Sequence, residues 1–161
     1  GTVFQDATAN YQVQTDDMKS LFFLDSDTGA TRGKWTLTRD QTRFENCTLH
    51  NYNVIPLERD DILVQGSYQS GTGVLNFDKP SSAREMAFAD PAPLPDPPGP
   101  ATIHIGGSWA TYFYNGYLFD SDITRGLYIW ELDEKEAHDA VQLDHLNPQT
   151  QEFTISDGKD D

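Results

Sequence analysis

The sequence predicts an all-β chain built from antiparallel meander sheets in about three blade-like units. Three observations carry this. First, residues 109–133, WATYFYNGYLFDSDITRGLYIWELD, read as three short aromatic and β-branched strands joined by two turns. Asn115-Gly116 supplies the positive φ that both central positions of a type I′ hairpin turn require. Second, an apolar strand ending in an acid or amide recurs. GTGVLNFD (71–78) aligns with GLYIWELD (126–133), placing Leu75 with Trp130, Phe77 with Leu132 and Asp78 with Asp133. SLFFLDS (20–26) gives a third copy, with Asp25 in the place of Asn76 and Glu131, a spacing of 51 and 55 residues. Third, no stretch has the i, i+3, i+4 apolar spacing of an amphipathic helix of useful length.

A period of about 40–55 residues with several strands per copy is the pattern of propeller blades. The expected units are residues 10–38, 47–90 and 109–133, followed by a C-terminal extension, 134–161. In the first unit, residues 10–14 alternate as a half-buried strand, 20–25 read as a buried strand, and 34–38 alternate again. In the second, 48–55 form a strand that Pro56 ends, 57–61 make a charged turn, and 62–68 pair with 73–77. An outer strand over 84–88 completes that unit. Residues 90–100, DPAPLPDPPGP, hold six of the nine prolines and predict an extended surface connector; docking to a proline-binding module is the functional alternative. Beyond Asp133 the pattern weakens to a helical turn over 134–140, a strand over 141–144 and an edge segment over 153–155.

Composition excludes some functions. With 26 acidic against 11 basic residues the formal charge is −15. That opposes nucleic acid, whose binding rests on Lys and Arg neutralising phosphates. No run approaches the ~20 apolar residues of a membrane span. The one cysteine, Cys47, permits no internal disulfide. Three units fall short of the about 4–8 blades that close a ring. The chain is therefore expected to belong to a longer protein or to complete its sheets with a protein partner or the remaining blades, and to self-associate otherwise.

The apolar strands ending in an acid, the CTLHNYNVIP stretch (47–56) and YNGYLFDSDITRGLYIWEL (114–132) resemble the LVIVD-repeat proteins, bacterial secreted or surface proteins that look like β-propellers. The resemblance covers roughly residues 10–133. It implies an extracellular or cell-envelope location and the C-terminal blades of a larger propeller. The activity of that family is mostly undefined, so the resemblance informs the fold more than the function.

Few residues suggest chemistry. His50, with Asn51, opens what should be an innermost strand, where some propeller enzymes hold histidine-ligated metals; a hydrogen-bonded structural histidine is the alternative. Asp25-x-Asp27-x-Gly29 places hard oxygens at alternate positions before a glycine, so calcium is the cofactor it admits; an Asx-type turn uses the same residues. Asp122 and Arg125 share the turn of the last unit and are expected to bond each other. Tyr114 offers a hydroxyl to a ligand. No nucleophile elbow, phosphate loop or dinucleotide fingerprint occurs. The expected function is a non-catalytic binding or scaffold module, the runner-up a propeller enzyme with a metal near His50.

Overall fold

Backbone conformations at the turns set the strand order. In a computed structural model that describes residues 15–42, 45–95 and 105–143, Asn115 and Gly116 have φ of 49° and 90°. Both central positions are thus left-handed, as the hairpin between β7 (Ser108–Tyr114) and β8 (Tyr117–Asp122) demands. β9 (Gly126–Glu131) pairs with the other side of β8, giving a three-stranded antiparallel sheet in the order β7-β8-β9. The second unit is a four-stranded meander of β3 (Asn51–Val54), β4 (Ile62–Gly66), β5 (Thr72–Asn76) and β6 (Arg84–Ala89). The first is a hairpin of β1 (Ser20–Leu24) and β2 (Thr31–Thr36). The described residues are all-β, as expected, in three antiparallel sheets of two, four and three strands, with no closed barrel among them.

The four-stranded sheet is the middle layer. Ile62 and Val64 face the three-stranded sheet, in a core with Ile55, Val74, Phe113 and Leu118. Leu63 and Leu75 face the hairpin, in a core with Leu21, Trp35, Leu37 and Cys47. With both faces covered, every residue of β4 is buried. This is why its sequence, ILVQG, does not alternate as a half-exposed strand would. Each fully buried aliphatic side chain contributes roughly 1.5–3 kcal/mol.

The segments aligned in the sequence share local geometry. β5 and β9 are each the third strand of their sheet; β5 follows the left-handed Gly71 and β9 opens on the left-handed Gly126. The Phe77 amide bonds the Asp61 carbonyl at 2.7 Å, and the equivalent Leu132 amide bonds Gly116 at 3.0 Å. A 3₁₀ turn then follows at the same offset in both, Pro80–Ser82 and Lys135–Ala137. The β1–β2 and β5–β6 pairings also carry a bulge at the aligned positions, Phe23/Leu24 and Val74/Leu75. Leu75 is fully buried, whereas the aligned Trp130 is half-buried because no strand lies outside β9 among the described residues.

Other departures are local. The first strand of the second unit begins at Asn51, three residues later than expected, where the chain before it leaves the sheet: the Leu49 amide reaches the Met18 carbonyl. Residues 141–143 do not form the expected strand. The Val141 amide bonds Pro56, and Ala137, Ala140 and Leu143 turn into the core instead. The connector lies on the surface over residues 90–95, against the last unit. The expected strand over 10–14 and the edge segment over 153–155 lie outside the described residues.

Candidate functional site

The second and third sheets meet at a corner built around Tyr68. Tyr68 and Ser108 exchange backbone hydrogen bonds, each at 2.8 Å. That bridge holds Tyr68 at φ 48°, a left-handed conformation that costs a tyrosine on the order of 1–3 kcal/mol. The turn that closes on it returns the Gly71 amide to the Tyr68 carbonyl at 3.0 Å. Only glycine fits at 107, where φ is 85° and a Cβ would lie 2.2 Å from the Tyr68 carbonyl oxygen.

His50 is placed on this corner by its own amide, which bonds the Gly66 carbonyl at 3.1 Å. Its ring packs against Trp109 with centroids 4.3 Å apart and against Tyr68 at 4.9 Å; Tyr68 and Trp109 meet edge to face at 5.9 Å. His50 Nδ1 lies 2.7 Å from the Trp109 carbonyl oxygen. A carbonyl only accepts, so Nδ1 carries a proton, and Nε2 is the ring nitrogen left for another partner. Trp109 is 48% exposed. The result is an open aromatic surface with one fixed imidazole. Asn51 stands next to it in β3, paired with Gly66.

The other candidates are elsewhere. Tyr114 is five residues from Trp109 along β7, about 17 Å at the strand rise. Its hydroxyl donates to the Leu143 carbonyl at 2.5 Å, and Asn115 brackets Leu143 with two more bonds. Tyr114 therefore fastens the segment after β9 to the hairpin. Asp122 and Arg125 hold their turn, but not chiefly through each other. Asp122 Oδ1 accepts from the amides of Thr124 and Arg125 at 2.8 Å each and from the Thr124 hydroxyl at 2.9 Å. The Arg125 guanidinium is 3.9 Å from Asp122 Oδ2 and donates at 2.6 Å to the Ala92 carbonyl, so its firmer role is to pin the connector.

In the first unit, Asp25 Oδ1 accepts from the Thr28 amide and hydroxyl, and Arg32 occupies Oδ2 at 2.5 and 3.1 Å. Arg32 and Thr28 hold this carboxyl down at about 2. The arrangement is an Asx-type turn with a guanidinium where a cation would stand; Asp27 is exposed beside it. Among the described residues no three His, Cys, Asp or Glu side chains converge as a metal's donor set.

Two polar clusters were not foreseen. Asp120, in β8, is buried between the second and third sheets with its carboxylate 2.5 Å from Ser108 Oγ. Ser108 and Thr111 hydroxyls lie 3.3 Å apart, and Thr111 and Thr72 hydroxyls 2.8 Å. Burial raises the Asp120 pKa, and the hydroxyls offset only part of this. The repeat gives a signal in retrospect: Asp120 is the equivalent of Gln65, also a buried polar residue of a second strand. The second cluster is Arg39, in the loop after β2, which lies across the four-stranded sheet. It donates to Glu85 at 3.1 and 3.3 Å, to Asp90 at 2.5 Å and to the Ser70 carbonyl at 2.9 Å, and stacks over Phe88 at 4.5 Å. Gly73 leaves room beneath, since a Cβ there would meet Gln65 and Glu85 at 3.0 Å. Cys47 is buried in the neighbouring core; desolvation, with Glu45 and Asp90 nearby, pushes its thiol up to about 12 and leaves it inert as a nucleophile.

The chain matches no protein-family model, no curated protein and no solved structure.

Proposed function

We propose that the chain is a non-catalytic binding or scaffold module made of propeller blades, of the LVIVD-repeat kind, acting outside the cell or in the cell envelope. One observation carries this reading. Except for the exposed Asp27, the ionisable side chains at the candidate positions are spent on holding backbone, while the aromatic surface at Tyr68 and Trp109 is left open. Asp25 closes a turn, Asp122 caps another, Arg125 holds Ala92 and Tyr114 holds Leu143. Such an arrangement favours contact by rigid aromatic area over proton transfer. The location rests on the resemblance.

A second reading, a propeller enzyme with a metal near His50, draws on the imidazole tautomer, which presents Nε2 as a potential ligand atom. Metal analysis of the purified protein, with titration of envelope extracts followed by tryptophan fluorescence, separates the two. The binding reading expects saturable quenching that Trp109→Ala abolishes, because Trp35 is buried and Trp130 half-buried. Stoichiometric iron, copper or zinc that disappears in His50→Ala would overturn the structural role of His50 and promote the enzyme reading instead.

A further inference from the structure

Among the described residues, one strand of the middle sheet has no counterpart in the last sheet. In the middle sheet, β6 covers β5, pairing Arg84 with Asn76, Ala87 with Val74 and Ala89 with Thr72, and adding Met86 and Ala87 to the core. β9 matches β5 through its leading glycine, its strand and the 3₁₀ turn after it, yet among the described residues nothing pairs with its outer side. The turn after β9 leads inward to Ala140 and Leu143, where its counterpart leads out to β6.

The direction of the vacant hydrogen-bonding row follows from the ladder. The Leu132 amide bonds Gly116, across β8, and antiparallel strands alternate bonded and non-bonded pairs. Trp130 and Tyr128 therefore point their backbone groups at β8, and Leu127, Ile129 and Glu131 point theirs outward. The side chains agree with a surface awaiting cover: Leu127 is 62% and Ile129 55% exposed. Edge strands ordinarily carry a charge, proline or bulge against addition. β9 has only Glu131, at its end, and pairs with β8 in unbroken register.

We propose that the outer edge of β9 takes up an extended strand of another polypeptide, apolar at alternate positions and basic where it meets Glu131. The chemistry of the occupant follows from charge. Glu131, Asp133 and Glu134 line the end of the strand against Lys135 alone. In the middle sheet the equivalent place opposite Asn76 is filled by an arginine, Arg84, whose guanidinium also lies 3.7 Å from Glu136. Residues 144–161 offer five acids against one lysine, and are the wrong charge for this rim. A second copy is disfavoured as well: β9 contains no basic residue, Arg125 is held by Ala92 and Asp122, and each chain carries −15. This surface uses different residues from the His50 corner, so it stands or falls separately from the reading above.

The test is amide exchange by NMR on the full chain, with a synthetic peptide of residues 83–89 carrying Glu85→Lys as the probe. A second peptide, with Arg84→Glu and Glu85 retained, is the control. The basic peptide should slow exchange at Leu127, Ile129 and Glu131 roughly tenfold at saturation, while Thr72 and Val74, already covered by β6, do not change. The acidic peptide should have no effect. Glu131→Lys, on an exposed side chain, should reverse the preference. Equal or absent protection by both peptides overturns the proposal. So does protection already present in the dilute protein without peptide, which would place the chain's own residues on the edge, or protection that grows with protein concentration, which would place a second copy there.

Discussion

Arg39→Ala should be among the most damaging substitutions outside the apolar cores. Arg39, Glu85 and Asp90 side chains are 12%, 15% and 21% exposed, so all three charges are largely out of water. Removing the guanidinium leaves Glu85 desolvated without its cation, and burial already raises the Glu85 pKa against the pull of Arg39. Breaking a buried pair from one side costs about 3–5 kcal/mol. The residual exposure of Asp90 puts this case near the lower end, about 3 kcal/mol, with on the order of 1 kcal/mol more for the lost contact with Phe88. For a chain of this size that lowers the melting temperature by roughly 8–16 °C. The loss should depend on pH. Without Arg39 the Glu85 pKa rises further above its unfolded value. Stability is then fully present below the unfolded pKa and falls as pH rises through the folded one. The deficit measured by urea unfolding should thus be larger at pH 7 than near pH 4. Glu85→Gln added to Arg39→Ala should recover part of it at pH 7. A deficit under about 1 kcal/mol, the range of a solvated pair, or one independent of pH, would refute the reasoning.

Asp120→Asn should stabilise the protein at neutral pH in thermal melts, because burial raises the Asp120 pKa and its ionised form is the penalised one. The difference should shrink in melts as pH falls through the folded pKa and vanish below the unfolded one. Arg125→Lys should cost no more than about 1 kcal/mol, since the ion pair with Asp122 is long, while proteolysis at the connector should quicken as the hold on Ala92 is lost. Asp122→Asn, which weakens acceptance from two amides, should cost more than Arg125→Lys in the same thermal melts. At Asp25, whose pKa is lowered to about 2, protection of the Thr28 amide should persist above the unfolded pKa and be lost on acidification towards pH 2. Calcium should leave that protection unchanged, as Thr28 and Arg32 already occupy the carboxylate.

The sequence by itself determined what depends on a few neighbouring residues. The Asn115-Gly116 hairpin, the strands of the last two units, the 3₁₀ turn after Asp133 and the match of 71–78 to 126–133 are written in side-chain alternation and in residues that tolerate positive φ. Those features are local, so the chain's own steric preferences fix them before any sheet meets another. Tertiary structure decided what each polar group does, because its partner lies far along the chain. His50 finds its acceptor at Trp109, 59 residues on, and Arg39 finds Glu85 and Asp90 across 46 and 51 residues. An arginine beside Asp40 in a polar loop reads as solvated until Phe88 and Gly73 make a place for it. The same holds at 137–143: local pattern suggested a strand at 141–144, but burying Ala140 and Leu143 against the hairpin outweighed it, and β9 is an edge among the described residues.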